Sequence, residues 1–419
     1  MEKVISFVVV AASLQMLPQV AYAQSGENLF DRNRNVSVKD RPRPEYDSGG
    51  VQVGAFTYSP QLVTNVEFDN NIFATDTNKI NDIIIVVQPS VGVQSTWAVH
   101  SLSLAADVDH REYTDFGTET VTNYGLSGDG RLDITGSASL GAGVAYRKAS
   151  EPRTSSGAVN RAAEPVRYDT KSAYISGSYE TGRTKFTGLA SLGNYDYDDV
   201  DLIGGGNADQ DFRDQDETNI EGRAAYAISP ATAVFARVRY QRQDYASTGV
   251  QRDQDGYTLD VGADFDLTDL VRGEIGIGYL ERSFKNPAFD KISGFGFSGN
   301  LEWFASPLVT VGANVDRSIR AAALAASPAY TATSFGSSVD YEWRRNIILS
   351  AGATISEDKY EAIDRLDKRH SLYVGANYLL NRYVGFSANI VNSHQKSTGV
   401  DRQSDFDDVK VVFGLTLRR

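Results

Sequence analysis

The sequence predicts an all-β protein in which about 18 long antiparallel strands follow one another along the chain. Three observations predict it. Apolar and polar residues alternate over most of the chain after about Val53, turn-forming residues recur at even spacing, and the 419 residues include 37 Gly, 22 Tyr and 19 Phe but 11 Pro. Alternation with a period of two places the two sets of side chains on opposite faces of a sheet. The composition suits many strands joined by tight turns.

Charge and composition exclude several classes of protein. The formal net charge is −13 and the chain contains no cysteine, so disulfide frameworks, zinc ribbons, iron–sulfur clusters and thiol catalysis are not expected. A bundle of membrane-spanning helices is excluded because mean hydropathy is −0.33 and, beyond the N-terminus, no apolar run reaches the ~20 residues that a span needs. A pI near 4.9 argues against nucleic acid as a partner. No cofactor is expected.

The first 23 residues have the pattern of a secretory signal peptide. Lys3 precedes an apolar run over residues 4–17, and residues 21–23 read Ala-Tyr-Ala, a small-residue cleavage site. An uncleaved anchor is the alternative, because Glu2 weakens the positive charge of the N-terminus. Export without cysteine suits a bacterial envelope better than a small disulfide-linked secreted domain.

Residues 24–52 differ in composition and predict a charged periplasmic arm. Residues 40–47 read Asp-Arg-Pro-Arg-Pro-Glu-Tyr-Asp, with dense mixed charge and two prolines. Such a segment buries too little apolar surface to order itself, so a disordered linker is one interpretation. A plug or docking segment is the other.

Clean alternation marks the individual strands of residues 53–419. In one segment Tyr257, Leu259 and Val261 alternate with Thr258 and Asp260. The last segment shows the same order, with an apolar set against a polar set: Val409, Val411, Phe413, Leu415 and Leu417 against Lys410, Gly414, Thr416 and Arg418. One face of the sheet is therefore continuously apolar and the other is wet.

Turn residues divide the chain into hairpins of nearly uniform length. They recur every 36 to 48 residues, near Thr96, Ile134, Gly182, Pro230, Thr268, Ser306, Arg345 and Asn381. Each interval fits two strands of roughly 12 to 15 residues, a turn of 2 to 4 residues and a more polar loop between the strands. The two longest intervals hold their surplus in loops at residues 150–167 and 198–215. With two more strands in residues 53–95, which hold a loop near residues 69–81, the count is 16 to 18, with 18 preferred.

Strand length and loop asymmetry predict a transmembrane antiparallel up-and-down β-barrel with short periplasmic turns and longer extracellular loops. A tilted spanning strand needs ~9 to 11 residues in the hydrocarbon. A soluble propeller or sandwich also alternates, but seldom needs strands of ~14 residues. Closure into a barrel pairs every backbone donor in lipid. Aromatic residues near strand ends predict interfacial girdles: Tyr113, Tyr146, Tyr240, Tyr279, Trp303, Phe304, Tyr341, Trp343 and Tyr383.

The entry to the predicted barrel resembles a known family. Residues 40–47, the Val-Gly-Ala-Phe of residues 53–56, Pro60 and the Glu-Phe-Asp-Asn-Asn-Ile-Phe of residues 67–73 are similar to the beta-barrel porin 2 family, bacterial outer-membrane proteins common in alphaproteobacteria. The family more often has tyrosine at the position of Phe68.

The resemblance implies a Gram-negative outer membrane and contact with its lipid and lipopolysaccharide. It also implies insertion by the barrel assembly machinery, which usually reads a terminal aromatic; the last aromatic here is Phe413. Some family members are encoded with exopolysaccharide systems, so polysaccharide export components are expected as partners.

Charged residues of both signs are predicted on the inner face of the barrel. They are Asp107, Asp109, Arg111, Asp129, Arg131, Glu221, Arg223, Arg237, Arg239, Asp260, Asp264, Asp266, Arg272, Glu274 and Arg282. A barrel of this size encloses a water-filled lumen, and opposed arginine and carboxylate rows favour passage of small hydrophilic solutes. The alternative is that these charges pair across strands and fill the interior.

Two functions therefore stand. The first is a porin-like barrel that passes hydrophilic solutes or takes part in exopolysaccharide export. The second is a structural or adhesive protein that binds surface polysaccharide through loops such as residues 150–167. An enzyme is not expected, since the four histidines, at positions 100, 110, 370 and 394, occur in neither a zinc-protease nor a hydrolase motif. A barrel-borne lipase would use His110 or His394.

One acidic loop is a weak candidate for a calcium site. Asp196, Asp198, Asp199 and Asp201 precede three glycines, and Ca²⁺ prefers several oxygen ligands. The spacing differs from that of an EF-hand loop. A solvated acidic loop is the alternative.

Overall fold

The computed structural model describes Phe30 and residues 35–419, apart from residues 160, 247–250 and 269. The predicted signal peptide, residues 1–23, lies outside the described residues. Residues 24–29 and 31–34 of the predicted arm also lie outside them. In the described part of the chain, no helix has the length and apolar character to cross a membrane.

Eighteen long strands of the described chain form one closed antiparallel barrel, which confirms the predicted fold and strand number. The strands are β1 Phe56–Asp69, β2 Asp82–Ser95, β3 Ser101–Tyr113, β4 Val121–Thr135, β5 Ala138–Ser150, β6 Arg167–Thr181, β7 Thr184–Tyr197, β8 Gln215–Ser229, β9 Thr232–Tyr245, β10 Gln254–Leu267, β11 Val271–Phe284, β12 Ile292–Ser306, β13 Val309–Leu324, β14 Ser327–Arg344, β15 Ile347–Tyr360, β16 Leu366–Leu379, β17 Val384–Thr398 and β18 Phe406–Arg418.

The barrel closes where its first and last strands meet. Strand β1 pairs with β18 from Gln61 opposite Arg418 to Asp69 opposite Lys410. The first residues of β1 extend past the end of β18 and pair with a short strand, Val51–Val53, instead. Gly54 makes the turn between them with φ of +59°, a left-handed conformation that favours glycine. This turn directs the preceding arm back toward the barrel mouth.

The alternation of the sequence determines which side chains face outward. On β10, Leu259 and Val261 are 48% and 58% exposed on the outer face, whereas Asp260 between them is 7% exposed and points inward. The same inversion recurs around the sheet, because neighbouring strands are in register over most of their length. The barrel thus has an apolar exterior, and its interior is rich in charged and polar side chains.

The two rims of the barrel differ as predicted. At one, the short-turn rim, several turns have two residues, as at residues 136–137, 182–183 and 345–346. At the other, the loop rim, the connections include loops 70–81, 151–166 and 198–214. In outer-membrane barrels short turns face the periplasm and long loops face outward.

One hairpin departs from the predicted pattern. Strands β13 and β14 have 16 and 18 residues, longer than the 12 to 15 predicted, and a connection of two residues joins them at the loop rim. Small residues continue the pairing there, and Ala322 and Ala329 are buried. These strands therefore form a tall section of wall against which other loops rest.

The predicted aromatic girdles need one correction. Trp303, Trp343 and Tyr383 are exposed on the outer face, but Phe304 is buried beneath the Arg272 guanidinium at 5.3 Å. Tyr113 likewise lies on the inner face, opposite the buried Ile84. Position near a strand end did not determine orientation, because adjacent residues of a strand point to opposite faces.

A charge on the outer face should destabilise the barrel in lipid. We expect Val261→Arg, near the middle of β10, to lower the free energy of unfolding by about 2 to 4 kcal/mol, the typical cost of arginine at the bilayer midplane. Urea unfolding in lipid vesicles measures it. Val261→Leu is the control and should unfold as the parent does. Equal unfolding midpoints for the two variants would place this face away from lipid.

Candidate functional site

The inner face of β8 to β11 carries a network of ion pairs, here named the lumen charge network. Its members are Arg223, Arg237, Arg239, Glu221, Asp260, Asp264 and Glu274. Arg223 contacts Asp264 at 2.6 Å and Glu274 at 3.1 Å, and Arg237 contacts Glu274 at 3.2 Å and Asp260 at 3.1 Å. Three arginines and four carboxylates from four neighbouring strands thus form ion pairs with one another along the inner face of the wall.

A buried aromatic ring supports this network. Phe235 points inward from β9, and the guanidinium carbons of Arg223 and Arg237 lie 4.1 Å and 5.2 Å from its ring centroid. A Cβ atom on Gly262 of β10 would lie 2.5 Å from Phe235 Cζ, so glycine there leaves room for the ring. Cation–π contacts of this kind contribute roughly 0.5 to 2 kcal/mol. The ring therefore holds both guanidinium groups close to the barrel wall.

Other charges predicted to line the lumen also lie on the inner face with ionic partners. Arg111 contacts Glu67 at 3.1 Å and Asp109 at 3.4 Å, and Arg147 bonds both oxygens of Asp107 at 2.9 Å. Glu67 and Arg147 were absent from the predicted set, although their position in the alternation indicates them. Pairing is therefore a general feature of this inner face.

Two further arginines of the predicted set have acidic partners nearer the short-turn rim. Arg131 contacts Asp133 at 2.7 Å, and Arg272 donates from Nε to Glu302 at 2.7 Å. Arg282 differs, because it is buried and donates to the amide oxygen of Gln241. Whether the predicted residues line a conducting pore stays a prediction.

The described part of the N-terminal arm docks at the short-turn rim. Arg41 and Arg43 contact the same Glu342 carboxylate of β14 at 3.1 Å and 3.0 Å. Val38 is fully buried, and its backbone N–H donates to the hydroxyl of Thr310 at 3.0 Å. Arg43 is only 2% exposed. A charge buried to this extent is tolerated only while its partner carboxylate remains in place.

Further contacts hold the arm along its length. Lys39 contacts Asp340 at 3.0 Å, and Arg418 of the last strand donates to the carbonyl of Tyr46 at 2.8 Å. The carboxylates of β14 that receive the arm point inward. Residues 35–47 are thus a docked segment rather than a free linker, so of the two interpretations of the arm, docking applies to its described part.

Loop 151–166 runs across the mouth at the loop rim. The carbonyls of Ser155 and Ser156 accept hydrogen bonds from Gln403 at 3.3 Å and Arg365 at 3.4 Å. A Cβ atom on Gly157 would lie 2.4 Å from Cβ of Ala323 at the end of β13. Strands β5 and β13 are eight positions apart in a ring of 18, so the loop reaches almost to the opposite wall.

Arginines of three loops anchor the loop rim. Each places its guanidinium over a tyrosine at the end of a barrel strand and is buried. The distances from guanidinium carbon to ring centroid are 4.0 Å for Arg213 over Tyr197, 4.4 Å for Arg365 over Tyr360 and 4.7 Å for Arg252 over Tyr245. Burial lowers the pKa of Arg252. Arg213 also contacts Glu151 at 2.9 Å, so this anchor fixes one end of loop 151–166.

The acidic loop 198–214 brings together a different set of carboxylates from the predicted one. Asp199, Asp209 and Asp211 have oxygens within 4.8 Å of one another and are exposed. Asp196, Asp198 and Asp201 lie outside this group. With one ligand oxygen from each, the three carboxylates supply fewer ligands than the six to eight oxygens that Ca²⁺ takes, so water would complete a calcium shell. Calcium binding by this loop stays a prediction.

Comparison with known proteins decides the family. The family model described as Putative beta-barrel porin 2 matches residues 43–419, which include all eighteen strands. The chain belongs to this family. No curated protein matches the sequence.

Solved structures similar to this porin-family barrel are outer-membrane proteins. The outer membrane protein OpdK of Pseudomonas aeruginosa is 11% identical, with 86% of this chain and 99% of that chain covered and a TM-score of 0.44. An enterobactin-bound mutant of the ferric enterobactin receptor PfeA, also from P. aeruginosa, is 7% identical, with 89% and 82% covered and a TM-score of 0.48. The siderophore receptor PirA of Acinetobacter baumannii is 8% identical, with 86% and 80% covered and a TM-score of 0.46.

Family membership and the closed barrel together make this a porin-like protein of the outer membrane. The short-turn rim is then periplasmic, and the loop rim faces outward. Of the two histidines that a barrel-borne lipase would use, His110 lies 2.8 Å from the hydroxyl of Thr122, and His394 contacts Asp407.

The acidic loop of this porin-family barrel should respond to pH. The charges of Asp209 and Asp199 raise the pKa of Asp211 above its ordinary value. A raised carboxyl pKa stabilises the folded loop below about pH 4, the ordinary aspartate range, and this contribution is lost as pH rises through the raised pKa. Protection of residues 198–214 from hydrogen exchange, corrected for intrinsic rates, should therefore fall toward pH 7.

Asp211→Asn should reduce that fall, because the amide resembles the protonated acid. Asp201→Asn in the same loop lies outside the group and should leave the fall unchanged. Identical profiles for the parent and Asp211→Asn would contradict the repulsion.

Proposed function

We propose that the protein is a channel for small hydrophilic solutes, constricted by loop 151–166 and closed at its periplasmic mouth by the docked arm. The observation that supports this proposal is the lumen charge network on the inner face of a barrel too wide for side chains alone to fill. Opposed charges impose a transverse field on a narrow aqueous path, and such a field discriminates among polar solutes.

The ion pairing within the lumen charge network agrees with a role in solute selectivity as well as with filling of the barrel interior. Arg239 remains substantially exposed while it contacts Glu221 at 3.1 Å and Asp260 at 2.8 Å, so its charge faces solvent. Arg147 and Asp107 are also partly exposed. The partly exposed members are the groups that a passing ion or sugar would meet.

The contacts of loop 151–166 weaken the adhesive alternative. Ala162 and Val166 are buried, and they pack with Val200 of the neighbouring loop. A loop turned into the mouth offers little surface to an external polymer. Passage of a polysaccharide stays a prediction, and a polymer would have to displace both the loop and the arm.

Planar-bilayer recording of the mature chain tests the channel. Glu274→Gln removes the carboxylate that bridges Arg223 and Arg237, so the luminal charge becomes more positive. The reversal potential in a potassium chloride gradient should shift toward anion selectivity. Glu281→Gln is the matched control, because Glu281 lies on the same strand but on the outer face, bound to Lys291 at 2.8 Å. An unchanged reversal potential in Glu274→Gln would remove the network from the ion path.

Release of the arm should open the periplasmic mouth. The double variant Arg41→Ala with Arg43→Ala leaves Glu342 without these two partners, so the arm should detach. We expect a larger fraction of open channels and faster protease cleavage within residues 35–47. Arg344→Ala, at the same rim but stacked on Trp343, is the control.

A barrel that conducts nothing in the double variant, although it shifts on gels when heated as a folded barrel does, would overturn the channel proposal. Equal currents in the parent and the double variant would overturn only the role of the arm.

A further inference from the structure

A cluster of basic side chains lies on the outer face of β15 to β17 near the loop rim. It consists of Lys359, Lys368, Lys396, His370 and His394 and is here named the outer basic patch. The three lysines and His370 are exposed. All five residues share the outward parity of the apolar residues below them, such as Leu372 and Ile390. The patch therefore faces the membrane side of the wall and not the lumen.

The height of the patch corresponds to the headgroups of the outer leaflet. On β16, the outward residues run from Tyr378 near the short-turn rim through Val374 and Leu372 to His370 and Lys368. Eight residues separate Tyr378 from His370, about 26 Å along a strand and about 20 Å along the membrane normal at a tilt of ~40°. The apolar band of such barrels is ~25 Å tall. Lys368 and His370 thus lie at its upper edge.

Pairing within the patch leaves positive charge in excess. Lys368 and Lys396 are directly opposite each other on neighbouring strands, an arrangement of like charges that is destabilising by itself. Two residue pairs lower, His370 and His394 stack with ring centroids 4.5 Å apart.

Two acidic groups neutralise only part of this charge. Glu357 lies 3.5 Å from Lys368, and Asp407 contacts His394. Lys359 and Lys396 have no carboxylate within ion-pair distance among the described residues. An external anion would supply the negative charge that Lys359 and Lys396 lack.

Two lysines elsewhere on the loop rim, Lys285 and Lys291, are neutralised by the protein itself. Lys285 contacts Asp253 at 3.0 Å and Asp244 at 3.4 Å, and Lys291 contacts Glu281 at 2.8 Å. Hydrogen bonding to Asp253 raises the pKa of Lys285. The lysines of the patch on β15 to β17 therefore differ from these two, since Lys359 and Lys396 have no such partners among the described residues.

We propose that the outer basic patch binds the phosphate groups of lipopolysaccharide in the outer leaflet. Lys368 and Lys396 donate to one phosphate placed between them, which relieves their mutual repulsion, and Lys359 lies one strand away for a second contact. The acyl chains of the same lipid lie against Leu372 and Ile390 beneath. A phosphorylated lipid fits because it meets charge and apolar surface together, at the depth where the two adjoin.

Native mass spectrometry of the full-length barrel, titrated with bis-phosphorylated lipid A in detergent, tests the site. The variant Lys368→Gln with Lys396→Gln should bind lipid A about 25-fold more weakly, at about fivefold for each lysine near an anionic lipid surface. The matched control is Lys285→Gln with Lys291→Gln, which should bind as the parent does. All variants should show the heat-dependent gel shift of a folded barrel.

Two further ligands identify the group that is recognised. Dephosphorylated lipid A should bind the parent and the Lys368/Lys396 variant equally, and inorganic phosphate should not displace lipid A, because it lacks the acyl chains. Equal lipid A affinity in the parent and the Lys368/Lys396 variant would overturn the proposal. Displacement by inorganic phosphate would show a simple anion site and would overturn the assignment to a lipid.

Discussion

The pairing of the first strand with the last is the constraint on which the rest of this structure depends. In hydrocarbon no water satisfies backbone N–H and C=O groups, so a sheet with free edges is not tolerated there. Strands β1 and β18 come from opposite ends of the barrel sequence, and nine residue pairs join them. Once this seam closes, the alternation along each strand produces an apolar exterior and a polar interior together. The glycine turn at Gly54 and the docked arm then follow from the place where β1 begins.

Closure also explains why so much charge inside the barrel is paired. Charges of both signs lie close together on nearby strands of the inner face, and a buried charge without a partner is costly. The arm and the loops use the same chemistry as the wall. Glu342 binds Arg43 of the arm, and Glu151 of loop 151–166 binds Arg213 of the next loop. The wall, the arm and the loops therefore depend on the same kind of contact, and undocking of the arm would leave Asp340 and Glu342 without their basic partners in the arm.

Features that depend on neighbouring residues of a strand could be predicted from the sequence, and features that depend on distant parts of the chain could not. Alternation and turn spacing predicted the strand number, the two rims and the inward set from Asp107 to Arg282. Nothing local showed that loop 151–166 meets Ala323 across the mouth, or that Arg43 finds Glu342. Phe304 shows the intermediate case. Its place beside Trp303 suggested a girdle, but parity turns one of the two rings inward.

The distribution of charge around the loop rim has a physical meaning that the net charge of −13 conceals. The acidic loop 198–214 leaves the barrel beside β7 and β8, whereas the outer basic patch lies on β15 to β17, about half a circumference away. A carboxylate cluster placed at the depth of lipid phosphates would be repelled by them. Asp199, Asp209 and Asp211 belong to a loop beyond the strand ends, and the lysines of the patch belong to the strands themselves. The three carboxylates of this loop are thus placed where water is abundant, and the three lysines of the patch at the depth where a phosphorylated lipid surface begins.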